Sequence, residues 1–196
     1  MKSSLKISAL ALAFAAFTFS AKAQTTTTTS TTTTTPTGVR YSIGVDGGLP
    51  IGNFKNAYNW SIGGSLQADI PVLSNQLFVT VNAGYDNIFS KKTIDGVSNS
   101  QPNIELLPVK AGLKFFPVSN FYIQGDAGVA FALNKSNVGF DKSDAFVWAP
   151  QIGYQFQLGG GNYIDAGVRY EETTNFVTND NDSKVKFIGL RVAYGF

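Results

Sequence analysis

The residues able to do chemistry in this 196-residue chain form a short set, because His and Cys are both absent. Without His the commonest general base and metal ligand is missing. Without Cys there is no thiolate nucleophile, thiolate metal site, disulfide framework or lipid-modifiable Cys behind a leader. What remains is charge set into apolar or small-residue stretches: Asp46, Asp69, Asp86, Lys110, Lys114, Asp126, Asp165, Arg169 and Arg191. Lys110 and Lys114 stand two rungs apart on one face, with Asp126 in the next segment. Five carboxylates and four cations in such settings suit two chemistries. One is an internal ion-pair network that satisfies itself; the other is a narrow path for ions. The serines have no neighbouring base to activate them, so nucleophilic catalysis has no support.

Other motifs read as architecture. NDNDSK (179–184) has the carboxylates of a cation loop but neither its Gly nor its bidentate Glu, and clustered Asn/Asp is ordinary turn chemistry. GGLPIG and GGGN do not lead into helices, so they read as strand ends and turns rather than phosphate cradles. No metal, cofactor or enzymatic activity is expected.

The elements that position the charges follow from periodicity. Lys2 and Lys6 precede an apolar run from Ile7 to Phe19, and Ala21-Lys22-Ala23 closes it, so residues 1–23 read as a secretory signal peptide. Cleavage there removes three Lys and no acid, leaving 12 basic and 13 acidic residues, and a nucleic-acid partner is not expected. Residues 24–38 hold a Thr tract with nothing to bury and read as a flexible spacer.

From residue 39 to 196 the pattern alternates with period two. The alternation predicts eight strands, in VRYSIGVD, NWSIGGSLQADI, LFVTVNAGY, LLPVKAGLKFF, FYIQGDAGVAF, FVWAPQIGYQFQL, YIDAGVRY and FIGLRVAYGF. The connections alternate long and short. Residues 48–59, 90–103, 134–145 and 172–184 make the long ones, and PVLSNQ, PVSN and GGGN the short ones. That rhythm suits an up-and-down meander whose two ends meet different environments.

Alternation alone does not say which face meets water. The nine charges above all fall opposite the apolar face; Glu105 and Lys186 break the rule, at the expected loop rim. The polar face is also rich in Gly, including Gly44, Gly63, Gly112, Gly128, Gly153, Gly167 and Gly189. Glycines weaken a strand washed by bulk water, but a narrow eight-stranded lumen needs them for room. The expected fold is therefore all-β, an eight-stranded antiparallel up-and-down transmembrane β-barrel, apolar outside. A secreted lipocalin-like carrier, apolar inside, is the remaining alternative.

The segments LPVKAGLKFF and FYIQGDAGVAF, with the alternating end Ile188, Leu190, Val192, Tyr194 and Phe196, make residues 39–196 resemble the small eight-stranded OmpA/OmpX-like outer-membrane barrels of Gram-negative bacteria. The resemblance implies a place in the cell outer membrane, with the N-terminus periplasmic and outer-membrane lipids and lipopolysaccharide around the barrel. It also implies that the C-terminal strand is an assembly signal read by the barrel-assembly machinery. Members of this architecture that are enzymes look to a His in their catalytic sets, and this sequence has none. The implied role is structural or surface-interacting, through the four long loops and a plugged, salt-bridged lumen. Phe54, Tyr58, Phe140 and Phe176 are then candidate loop contacts. A small porin-like channel for ions or solutes is the alternative.

Overall fold

The computed structural model describes residues 38–73, 76–94, 97–98, 101–178 and 183–196. The expected leader, nearly all of the expected spacer and residues 179–182 of the acidic stretch lie outside the described residues. Eight strands close into one antiparallel barrel. They are β1 (Arg40–Pro50), β2 (Tyr58–Leu73), β3 (Leu77–Ser90), β4 (Ile104–Val118), β5 (Phe121–Ala132), β6 (Asp144–Gly159), β7 (Asn162–Thr173) and β8 (Lys186–Gly195). Each pairs with its neighbour in sequence, and β8 returns to β1 in register from Ser42↔Gly195 to Pro50↔Phe187. The closure is completed by two main-chain bonds: Phe196 N–H donates to Tyr41 O at 2.9 Å, and Tyr41 N–H to Phe196 O at 3.1 Å. Closure leaves no sheet edge, as hydrocarbon requires of any spanning sheet.

The apolar face points outward. Ile43 and Leu190 are 57% and 55% exposed, whereas the adjacent Ser42 and Arg191 are 4% and 1% exposed. So continuous an apolar exterior marks a lipid-facing surface. Aromatic pairs border it at both ends. Trp60 stacks on Phe89 and Trp148 lies against Tyr170 near the long-loop end; Tyr154–Phe156 and Tyr194–Phe196 lie near the short-turn end. They match the interfacial girdles of such barrels.

The strands outrun the alternating segments that predict them: β2 and β6 are each 16 residues long. About 9–11 tilted residues cross the hydrocarbon, and only those need the strict apolar alternation. The ladder continues into the watery rim, where the pattern fades. Two of its irregularities fall at prolines. Pro108 and Pro150 have no N–H to give, and the β3–β4 and β6–β7 registers each skip the rungs around them. The β6–β7 turn runs through Gly159, Gly160 and Gly161 at φ of 90°, 65° and 90°, a left-handed path that side chains resist.

Candidate functional site: the lumen and its outer cap

The inward residues form three layers. Nearest the short turns, Phe78, Phe116 and Tyr122 are buried together, with Phe78 and Phe116 edge to face at 5.7 Å. The Arg40 guanidinium caps them, 4.1 Å from the Phe78 ring centre and 5.3 Å from that of Tyr163.

The middle layer is ionic. Lys110 pairs with Glu171, both side chains being 2% exposed or less. Lys114 Nζ donates to Asp69 Oδ2 at 2.9 Å and lies 3.7 Å from Asp165. Asp165 also accepts from Tyr122 Oη at 2.8 Å and Gln155 Nε2 at 3.0 Å, and Arg191 approaches it at 3.6 Å. Arg191 further donates to the hydroxyls of Ser65 and Ser42. Arg169 joins Asp46 at 3.4 Å and Glu171 at 3.9 Å, and donates through Nε to Gln151 at 2.8 Å. Asp46 is steadied by Ser65 Oγ at 2.6 Å, and Asp69 by Gln67 at 2.7 Å and Arg40 at 3.4 Å.

All nine charged residues singled out in the sequence point inward, but not in the pairs their spacing suggests. Asp126 pairs with no lysine; its carboxylate accepts from Thr80 Oγ1 and Gln124 Nε2, each at 2.7 Å. Asp86 packs over Gly63 at the edge of the network, with no ion pair of its own among the described residues. The cations whose charge reaches it, Lys110 and Arg169, are engaged by Glu171 and Asp46. Two members escaped the sequence reading. Arg40 shares the parity of Ser42 and Asp46, and Glu171 that of Arg169; both were legible as parity, but Glu171 lies past the point where the apolar alternation of β7 ends. Six inward carboxylates thus face five cations. The cavity bordered by Asp46, Asp86, Arg169 and Arg191 measures about 10 Å³, space for a single water.

The third layer, at the long-loop end, is apolar. Ile88, Ile104, Leu106, Ala130, Val147, Phe176, Val185 and Phe187 are buried in one cluster with Phe54. This corrects the expectation for two loop aromatics. Phe176 is 0% exposed and Phe54 8%, so both fold inward as cap instead of facing a partner. Loop side chains gain more by covering the open end of an apolar layer than by staying in water. Phe140 stacks on Phe176 at 4.5 Å and 10°, and Tyr58, which begins β2 instead of ending a loop, stacks on Phe54 at 4.5 Å. Glu105 and Lys186 stand at this same rim, with Lys186 Nζ 3.1 Å from Glu172.

The glycines beside Tyr122 show why the polar face is so small. A Cβ at Gly153 would overlap the Tyr122 ring, and one at Gly167 would lie 2.6 Å from its hydroxyl. That ring occupies the lumen only because its two neighbours lack side chains.

Comparison with known proteins agrees with this architecture. No curated relative matches in sequence. Among solved structures, the outer membrane protein AlkL in DMPC bilayers superposes with a TM-score of 0.51 at 13% identity, covering 88% of this chain and 96% of its own. The Ail attachment invasion locus protein of Yersinia pestis gives 0.47 at 19% identity, covering 81% and 99%. The N-terminal β-barrel domain of Pseudomonas aeruginosa OprF gives 0.45 at 14% identity, covering 80% and 97%. At such identities the likeness concerns the fold alone. The outer membrane protein beta-barrel domain model, however, matches residues 9–196, nearly the whole sequence. The chain therefore belongs to the outer membrane protein beta-barrel domain family, and it is a protein of the outer membrane.

Proposed function

We propose that this protein is a closed, non-enzymatic scaffold of the outer membrane that presents its four long loops to the exterior. The observation that carries the reading is the crossing of the lumen by buried ion pairs. Lys110–Glu171 and Lys114–Asp69 join residues 61 and 45 positions apart, with every side chain 2% exposed or less. An apolar layer above and an aromatic layer below close the same axis. A continuous wet path would have to part all three.

The orientation follows the loop asymmetry: short turns and the first strand's start lie at one end, which makes that end periplasmic. The outward face meets lipid and, in the outer leaflet, lipopolysaccharide. The last strand, with Ile188, Leu190, Val192, Tyr194 and Phe196 outward, serves as the signal for the barrel-assembly machinery. One observation favours a second reading. The one inward carboxylate in excess of the cations would make any leak through the lumen cation-selective.

Planar-bilayer conductance of the purified mature protein, beside a Lys110→Ala/Lys114→Ala variant, tests the closed lumen. Silence from the folded wild type supports the scaffold. Discrete openings whose ion selectivity shifts in the variant would make it a pore. Orientation is tested by placing the chain's only Cys at exposed Lys55 and labelling intact cells with a membrane-impermeant maleimide. Labelling is the expected result.

A further inference from the structure

We infer that the small cavity in the lumen wall is a binding site for one structural water, which ties Asp86 to Arg169. The inference rests on the reading above that the lumen is closed. Asp46 on β1, Ser61 on β2, Asp86 on β3, Arg169 on β7 and Arg191 on β8 border this cavity, beside Phe187 and Gly189. Five polar residues around about 10 Å³ describe a wet space, because cavities that stay dry are apolar.

Two groups there have needs that the protein does not meet. Arg169 is 6% exposed. Its Nε donates to Gln151 and its Nη1 faces Asp46 and Glu171, but its Nη2 has no hydrogen-bond partner. Asp86 accepts no hydrogen bond and makes no ion pair among the described residues. An inward donor and an inward carboxylate left in this state are both costly.

One water answers both. It accepts from Arg169 Nη2 and donates to Asp86, and the Ser61 hydroxyl and Asp46 bring its partners to the two to four that hold a buried water. The mixed sign of the wall rejects other small occupants. A metal cation would lie against two guanidiniums, and a chloride against two carboxylates. A neutral molecule that both donates and accepts suits all of them.

The position gives the site its role. Asp86 pairs in register with Leu106, and Ile88 is the next inward residue of β3, so Asp86 is that strand's last inward charge before the apolar cap. Through the water this carboxylate joins the ionic layer. The layer then ends in a satisfied surface on which the cap can pack.

The test is water-selective NOE spectroscopy on the mature protein in lipid nanodiscs, read at the ring protons of Phe187, which do not exchange with solvent. The expected result is a cross-peak from a long-lived water. It should vanish in Gly189→Ala, whose methyl would stand 3.2 Å from Gly47 O and 3.6 Å from the Phe187 ring, taking up the space. Asp86→Leu, which removes the acceptor from the opposite wall, should lose it as well. Ser61→Ala should keep it, and each variant should still fold by heat-modifiable migration. The unfolding midpoint should be the same in sodium chloride and in N-methylglucamine chloride at equal ionic strength. Four results would overturn the assignment: no long-lived water in the wild type, a cross-peak that survives in both filling variants, its loss in Ser61→Ala as a relay through the hydroxyl, or a midpoint raised by sodium. Planar-bilayer recording separates the two ideas. Silence without a long-lived water sinks the water site and keeps the closed lumen; discrete openings of the wild type sink the closed lumen and the site with it.

Discussion

Replacing Lys110 by Met tests whether the ionic layer is a mutually dependent structure. Lys110 and Glu171 are both buried, and the other cation near Glu171, Arg169, lies 3.9 Å away while already serving Asp46 at 3.4 Å. Removing Lys110 leaves the buried carboxylate only the distant Arg169, which it must share with Asp46. Breaking a buried pair in this way costs about 3–5 kcal/mol. The Lys114→Met variant should cost less, about 1–3 kcal/mol, the range for a group that loses one partner and keeps others. Asp69 keeps Arg40 and Gln67, and Asp165 keeps Arg191, Tyr122 and Gln155. The double variant Lys110→Met/Glu171→Leu removes both charges for apolar groups of similar bulk, and should return to within about 1 kcal/mol of wild type. The assay is urea unfolding in lipid vesicles, followed by the fluorescence of Trp60 and Trp148, the chain's two tryptophans. A Lys110→Met barrel as stable as wild type, or a double variant as weak as the single, would refute the reasoning.

Gly153→Ala should cost about 1–3 kcal/mol in the same unfolding assay, because Tyr122 is 0% exposed and has nowhere to retreat from the added methyl. Leu190→Arg, outward in the middle of β8, should cost about 2–4 kcal/mol, while Leu158→Arg, outward beside the Gly159–Gly161 turn, should cost about 0–1 kcal/mol. Equal costs would mean that the outward face does not meet hydrocarbon. Phe196→Ala keeps the main-chain bonds to Tyr41 but removes the terminal ring. It should lower the heat-modifiable fraction recovered from outer membranes while leaving the unfolding midpoint of the assembled barrel little changed. A fall in the midpoint with normal recovery would make the ring a packing element and not an assembly signal.

The local pattern carried the barrel. Period-two alternation, eight times over, with loops alternately long and short, leaves few topologies, and it also places every inward charge by parity alone. Parity states which face a side chain occupies; it says nothing about depth along the axis or which strand lies opposite. Lys110 therefore meets Glu171 on β7, across the lumen, while Asp126 on the adjacent strand takes hydroxyl and amide donors instead. Those partners depend on strand tilt and stagger, which only closure of the barrel sets. The cap had the same origin. In the sequence Phe54 and Phe176 are aromatics in polar loops, and nothing local distinguishes a displayed ring from a buried one. The three-dimensional arrangement drew them down, because four loops converge on an open end lined by Ile88, Ile104, Leu106 and Phe187, and that apolar surface is more stable covered than wet. Sequence alone determined the strand count and the make-up of the two faces, and pointed to the membrane, since hydrocarbon imposes its rule residue by residue. Tertiary structure decided the ion partners and the seal, since each depends on where distant strands meet.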